Sequence, residues 1–183
     1  MSILRDYTND KHRAAEGTAF VQYMLHGAII PAHYAEYLQQ MHVVYSNIEY
    51  FGEISLLFQD LPGIKRADRM REDLEELGYT VAVPSLPSID RWRQRIVDLY
   101  HTGRKDQILA HVYVRHMGDL YGGKVIAKRV PGSGRSYEFE DRPGLIKALD
   151  AKLSMAILDE ALLAFDLAID VFNELQEKIS HDV

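Results

Sequence analysis

Hydrophobic residues recur with helical spacing along most of the chain. The clearest stripe begins after Pro31 and consists of Tyr34, Leu38, Met41, Tyr45 and Ile48. Intervals of four and three residues place such side chains on one face of a helix, and proline suits a first helical turn. The pattern therefore predicts a long amphipathic helix that begins near Pro31.

Similar patterns predict further helices on both sides of this one. A shorter helix, predicted to end near Gly27, contains Ala15, Ala19, Phe20 and Tyr23. Others are predicted over 67–77 (stop Gly78), 89–101 (N-cap Ser88, stop Gly103), 107–130, 143–152 and 155–179 (N-cap Ser154). Two prolines predict a loop over 80–88, and 131–136 is predicted to be a surface turn. We therefore expect an all-α fold of seven or eight helices, in one domain over residues 1–183.

The composition limits what this fold can do. With 183 residues, 47% hydrophobic and 26% charged, the chain suits one globular domain. The net charge of −6 argues against nucleic acid as a partner, and the lack of cysteine excludes disulfides, Fe–S clusters and thiolate nucleophiles. No stretch reaches the ~20 apolar residues of a membrane span, and the N-terminus lacks the apolar segment of a secretory signal. We expect a soluble, cytoplasmic protein without membrane association.

One candidate site consists of His12 and Glu16, which are four residues apart. That spacing puts both side chains on one helix face, beside the small residues Ala15 and Ala19. A carboxylate one turn away can hold one imidazole nitrogen while the other binds a metal. An ordinary exposed histidine near a helix end is the alternative, and these residues alone do not exclude it.

A second candidate lies in the predicted helix 107–130, which contains Gly118, Gly122 and Gly123. Each glycine costs about 1 kcal/mol relative to alanine inside a helix, so a bare backbone must serve a purpose. The glycines could allow close packing of two helices, or they could let the backbone lie against a flat ligand. Asp119 would then face that ligand's pocket, or else be a solvated charge. Other common signals are missing: no glutamate has a histidine three residues later, as a di-iron helical bundle requires.

Together the two segments resemble the haem oxygenase family. The first motif, H-x-x-A-E followed four residues later by F, is matched by His12, Ala15, Glu16 and Phe20. The glycine-rich motif is matched by Ala110, Tyr113, Arg115, Gly118, Asp119, Leu120, Gly122 and Gly123, with Val112 in the position of an alanine. The run 159–177 resembles the family's last helix, with Phe165 and Phe172 in its aromatic positions, and 34–49 resembles its third. The resemblance covers nearly the whole chain.

The resemblance implies a single-domain helical bundle that sandwiches haem b between a proximal and a distal helix. His12 would be the proximal iron ligand, and Glu16 would orient it. Gly118 and Gly122 would let the distal helix lie close to the haem. Asp119 would anchor waters that deliver protons to iron-bound dioxygen. The further haem-binding residues would be Arg5, Phe20, Tyr113, Gly123, Arg142, Lys147 and Phe165, of which Arg5, Tyr113 and either Arg142 or Lys147 would contact propionates.

The resemblance also implies a reaction. Haem, O2 and donor electrons would yield biliverdin, as the IXα isomer, with CO and Fe²⁺, and haem itself would carry the oxygen chemistry. Residues 115–152 contain eight Lys/Arg against five Asp/Glu. This basic stretch predicts docking of an acidic electron donor, ferredoxin, and biliverdin would pass to a downstream bilin reductase.

Besides Val112, four positions depart from the family pattern. Tyr121 replaces the usual Ser, Lys124 the usual Gln, His116 a usual Tyr or Phe, and Ala168 a usual Asn. We expect His116 at the surface. Tyr121 and Ala168 leave open a haem-binding or sequestering protein that has lost the chemistry. An interaction scaffold that uses the glycines only for packing is a further alternative, and a thiaminase-II-like enzyme would need the cysteine that this chain lacks.

Overall fold

The computed structural model describes residues 3–181, and every regular element in that range is helical. Its α-helices are α1 (Arg5–Glu16), α2 (Ala19–Leu25), α3 (Pro31–Ile54), α4 (Ala67–Glu76), α5 (Pro87–His101), α6 (Ile108–Val112), α7 (Gly118–Ile126), α8 (Arg142–Asp150) and α9 (Leu158–His181). Three 3₁₀ turns connect them, at Lys105–Gln107, Arg135–Tyr137 and Met155–Ile157. The all-α prediction is confirmed. The predicted domain limits, residues 1 and 183, lie outside the described range.

The predicted helix over 107–130 contains an irregular central turn. A π-helical segment, Tyr113–Met117, connects the end of α6 directly to Gly118 at the start of α7. Single π-helical turns inside α-helices occur frequently at functional sites, because they change which side chains face a ligand. The segment therefore makes this helix a candidate location for a ligand site.

Three details of the predicted helices differ in the structure. The predicted helix from Ala15 to Tyr23 is broken at 17–18, where Thr18 adopts an extended conformation between α1 and α2. Ser88 is not the N-cap of α5, which begins one residue earlier; its hydroxyl instead donates to Glu174, at 2.6 Å. Ser154 makes no capping bond, and a 3₁₀ turn follows it.

The core is built on the two longest helices, α3 and α9. α3 packs against α4, α5 and α6, while α9 packs against α1, α2, α5 and α6. The predicted apolar stripe of α3 is fully buried, which confirms the orientation of that helix. Within residues 3–181, none of the helices combines the length and the apolarity needed to cross a bilayer.

A chain of buried polar side chains ties α5, α6 and α9 together. Trp92 Nε1 donates to His111 Nδ1 at 2.9 Å, and His111 Nε2 lies 3.1 Å from Glu160 Oε1. Arg95 pairs with both oxygens of the same carboxylate. Burial raises the pKa of Glu160, but the bonds from Arg95 and His111 outweigh it and lower the pKa to about 2.

Candidate functional site

α1 presents His12 and Glu16 to solvent. Nδ1 of His12 lies 3.6 Å from Glu16 Oε2, and the two side chains are 50% and 56% exposed. Phe165 of α9 lies edge-on to the imidazole, with the ring centroids 6.1 Å apart. No other described residue pairs with this ring by a hydrogen bond or an ion pair. Since the carboxylate faces Nδ1, Nε2 is available to bind a ligand.

A side-chain contact joins α1 to the helix that carries the glycines. Thr8 Oγ1 lies 2.9 Å from the Tyr113 hydroxyl in the π-helical segment. Phe165 also contacts Tyr113 edge-on, at 6.4 Å between centroids, while Lys11 forms an ion pair with Asp166 of α9. Beyond this junction, α1 and α7 make little direct contact with each other. His12 and the glycines of α7 therefore lie on two helices that share a support but are not packed together.

The three glycines of α7 have two different environments. A Cβ atom added to Gly118 or Gly122 would meet no neighbouring heavy atom within 4 Å. A Cβ atom at Gly123 would lie 3.0 Å from both Cβ and Cδ1 of Tyr137. Gly118 and Gly122 thus form an open face of α7, which we call the glycine face. Gly123, predicted to contact haem, instead allows close packing against Tyr137 in the interior.

Asp119 is buried beside the glycine face. The Tyr45 hydroxyl donates to Asp119 Oδ2 at 2.5 Å. Burial raises the pKa of Asp119, although the Arg115 charge and the bond from Tyr45 partly oppose that rise. Arg115 in turn donates to the Tyr37 hydroxyl at 3.1 Å, and its guanidinium lies 5.5 Å from the centre of the Tyr45 ring. A carboxyl group is therefore held in place directly behind an open helix face.

Several buried polar atoms around Asp119 make no well-aligned hydrogen bond with any residue from 3 to 181. They are Arg115 Nε, His116 Nδ1 and the hydroxyls of Tyr34 and Tyr137, of which the two hydroxyls lie close enough to interact with each other. Asp119 interacts electrostatically with each of these four residues. Buried polar groups need hydrogen-bond partners, and ordered water supplies them where protein does not. The surroundings of Asp119 are therefore suited to holding water.

His116 is fully buried, so the expectation of a surface position is wrong. Its Nε2 lies 3.1 Å from Glu49 Oε1, and its ring centroid is 4.9 Å from that of Tyr45. Glu49 also accepts the backbone N–H groups of Arg66 and Ala67 at the start of α4. Glu49 of α3 thus provides the hydrogen-bond partner that offsets the free-energy cost of burying His116.

The Arg142 guanidinium is hydrogen-bonded to the backbone and is not a free cation beside the glycine face. Its Nη atoms donate to the backbone oxygens of Asp119, Leu120 and Tyr137. The guanidinium therefore links α7 to the backbone at Tyr137. This placement does not support the predicted contact with a haem propionate, and the sequence could not show it because the acceptors are backbone atoms.

The remaining predicted contacts lie in different surroundings. Phe20 is fully buried, with its ring 5.8 Å from Tyr37, so it belongs to the core. Tyr113 is buried, and its hydroxyl pairs with Thr8 as described. Arg5 and Lys147 are exposed, and neither has an ion-pair partner among the described residues.

Tyr45 and Tyr37 belong to this site, although neither was predicted to be part of it. Both lie in the helix predicted to begin near Pro31, and Tyr45 was assigned there only to the apolar stripe, without a role for its hydroxyl. A buried tyrosine needs a partner for its hydroxyl, so a tyrosine inside an apolar stripe was the available signal.

Comparison with known proteins identifies the family. The model of the Heme oxygenase family matches residues 1–174. The chain belongs to the haem oxygenase family. Heme oxygenase of Porphyra purpurea is 27% identical, over 96% of this chain and 86% of that protein. Heme oxygenase 1 of Synechocystis is 26% identical, over 96% of this chain and 84% of that protein.

Solved structures agree with the fold of this haem oxygenase family member. Heme oxygenase-1 from Synechocystis, crystallised in complex with heme, superposes with a TM-score of 0.83 at 23% identity, covering 98% of this chain and 93% of that one. Heme oxygenase from Leptospira interrogans has a TM-score of 0.78 at 29% identity, covering 95% of this chain and all of that one. The predicted haem-oxygenase-like bundle is thereby confirmed.

Proposed function

We propose that this chain is a haem oxygenase that binds haem b as its substrate between α1 and α7. Haem, O2 and external electrons would give biliverdin, as the IXα isomer, with CO and Fe²⁺. The observation that carries the proposal is the combination of an exposed His12, faced by Glu16, with an open glycine face backed by buried Asp119. These residues fit haem because they offer one imidazole ligand and one bare helix surface to a flat molecule.

On the proximal side, His12 would ligate the iron through Nε2. Glu16 would favour the tautomer with the proton on Nδ1, because a carboxylate attracts the N–H that faces it. At 3.6 Å the pair is an electrostatic contact rather than a hydrogen bond. Phe165 would limit rotation of the imidazole from the α9 side. Bound haem supplies the iron that activates oxygen and the ring that is cleaved.

On the distal side, Asp119 would hold and transfer protons through water. Its Oδ2 is occupied by Tyr45, whereas Oδ1 takes no hydrogen bond from a described residue. Burial raises the pKa of Asp119, so this carboxyl group holds a proton more readily than an exposed aspartate would. Gly118 and Gly122 would keep the space above the backbone free for the substrate, and Arg5 and Lys147 would pair with its propionates.

The electron donor would dock on the cations near the end of α7. Of the basic residues over 115–152, Arg135 and Lys152 form ion pairs, and Arg115 and Arg142 are bonded inside the molecule. The remaining four are exposed and have no ion-pair partner among the described residues: Lys124, Lys128, Arg129 and Lys147. Three of them, Lys124, Lys128 and Arg129, lie at the end of α7 and suit an acidic partner, for which we propose ferredoxin.

Reversal of two of these charges tests the donor. Lys128→Glu with Arg129→Glu should slow ferredoxin-driven turnover about tenfold at low salt and reduce its salt dependence, because exposed charges govern encounter. Turnover with a small chemical reductant should not change. Arg104→Glu with Lys105→Glu makes the same change in net charge on another loop and is the control. Equal slowing by both double variants, or with both reductants, would contradict this docking surface.

The experiment that tests the function combines the protein with haem, ferredoxin, a ferredoxin reductase and oxygen. Haem oxygenase activity predicts loss of the Soret band, growth of the biliverdin band and release of CO. A stable haem spectrum without turnover would instead indicate a haem-sequestering protein, and no haem spectrum at all would indicate a scaffold. Delivery of biliverdin to a bilin reductase, a cytoplasmic location and one domain over residues 1–183 stay predictions.

A further inference from the structure

The exposed side of α7 is wider than its two glycines. Tyr121 and Val125 are separated by one helical turn, and steps of three and four residues relate them to Gly118 and Gly122. Tyr121 is 60% exposed and Val125 is 56% exposed. The buried side of the same helix consists of Asp119, Leu120 and Gly123. α7 therefore presents two large apolar side chains along the edge of its glycine face.

Tyr121 is not held by specific contacts with the described residues. Its side chain makes no hydrogen bond, ring contact or cation–π contact with any residue from 3 to 181. Exposed apolar side chains that border an open surface mark places where a ligand or partner binds. Val125 continues the same border, so the exposure is a property of this edge and not of one residue.

We propose that Tyr121 is a substrate-retaining residue, whose ring covers the outer edge of a haem lying on Gly118 and Gly122. This inference rests on the proposed function and adds a residue to its distal side. A porphyrin is a flat π surface, and aromatic rings pack against such surfaces in offset or edge-on arrangements. Val125 extends the cover along the helix. The Tyr121 side chain is thus exposed to solvent in the free protein and covered when haem is bound.

Two consequences follow from this arrangement. Haem should shield Tyr121 from reagents in solution, although the ring is exposed in the free protein. Removal of the ring should speed haem release about three- to tenfold, which is the range of one aromatic packing contact. The hydroxyl is not needed for the contact, so phenylalanine should behave like tyrosine.

Chemical modification measures the first consequence without turnover. The full chain, free or loaded with ferric haem and without reductant, is nitrated with tetranitromethane, and each tyrosine is followed by peptide mass spectrometry. Tyr50 of α3 is the matched control, because it is 61% exposed and lies on another helix. Haem should suppress nitration of Tyr121 several-fold and leave that of Tyr50 unchanged.

Haem transfer to excess apomyoglobin measures the second consequence, with Tyr121→Ser and Tyr121→Phe. The proposal is supported if the serine variant releases haem faster than the wild type and the phenylalanine variant does not. A wild-type protein that shows a haem spectrum but nitrates Tyr121 as readily as Tyr50, or a serine variant that releases haem at the wild-type rate, overturns it and leaves the proposed function intact. Absence of any haem spectrum from the wild-type protein overturns both.

Discussion

The two sides of the proposed haem site are built in opposite ways. On α1, His12 and Glu16 are half exposed and are held mainly by their helix, whereas on α7 Asp119 is 4% exposed and bonded to Tyr45 from α3. Polar groups in water cost little free energy, but buried ones must be paired. The α1 pair therefore contributes little to the fold, while Asp119 is part of it. Changes on α1 should spare the free energy of unfolding, and changes around Asp119 should lower it.

A region away from the glycine face shows how burial changes the contribution of an ion pair to stability. Glu160 is buried with Arg95 and His111, and Asp170 forms a second ion pair between the same two helices, α5 and α9, with Arg91. The Arg91 and Asp170 side chains are 53% and 51% exposed. These two acids offer a matched comparison of buried and exposed pairing.

The largest loss of stability is expected from Glu160→Gln. The folded pKa of about 2 lies below the ordinary 4.5, so this carboxylate contributes about 3 kcal/mol above pH 4.5. That contribution disappears as the pH falls from 4.5 towards 2. Urea unfolding at neutral pH and at successively lower pH measures this contribution. Between pH 4.5 and 2, the free energy of unfolding should fall less in the variant than in the wild type.

Asp170→Asn is the control for this change. Exposed ion pairs contribute about 0–1 kcal/mol, so its effect should be small and should vary little with pH. If both substitutions cost the same, burial would not be what distinguishes the two pairs.

Asp119→Ala should come next, with a loss of about 2 kcal/mol in the free energy of unfolding. The substitution leaves the Tyr45 hydroxyl buried without its acceptor, and an unmade buried hydrogen bond costs about 1–3 kcal/mol. Asp119→Asn keeps an acceptor oxygen and should lose less. Urea unfolding of the haem-free proteins checks the order. Full stability of the alanine variant would show that Asp119 is not part of the fold.

How far the sequence predicts this site depends on the range of each contact. The spacing of His12 and Glu16 is local, so helix geometry was sufficient to predict that they face each other. Asp119 was singled out by its glycine neighbours, but its partner Tyr45 is 74 residues away. Arg142 was one of two residues offered for a propionate, with Lys147, and its backbone acceptors could not be foreseen because no residue type reveals them.

The two adjacent glycines show the same limit. Gly122 and Gly123 are alike in sequence, and only the position of Tyr137 separates an open face from a packed one. The overall fold was easier to predict, because helical periodicity is repeated along the chain. The break at 17–18 was missed because the apolar spacing continues across it.

Alanine at these two positions should therefore act in opposite directions. Gly122→Ala should raise the free energy of unfolding by about 1 kcal/mol, since alanine is the better helix former and its Cβ meets nothing. Gly123→Ala should lower it by about 1–2 kcal/mol through overpacking against Tyr137. Urea unfolding of the haem-free proteins measures both. A stabilising effect at both positions would contradict the distinction between the open and the packed side.

The smallest effect on stability is expected from His12→Ala, together with the largest change in haem spectrum. A half-exposed side chain with one electrostatic contact and one edge-on ring contact contributes about 0.5 kcal/mol to the free energy of unfolding, so the haem-free variant should unfold nearly as the wild type does. Its haem complex should lack the spectrum of an imidazole-ligated iron, and added imidazole should partly restore it. Glu16→Gln should weaken haem binding by about ten- to a hundredfold, as the loss of a ligand's supporting group does. His101→Ala, which removes another exposed histidine, should leave the spectrum unchanged. An unaltered spectrum in His12→Ala would require a different iron ligand, and the contrast between the two sides of the site would then lose its proximal half.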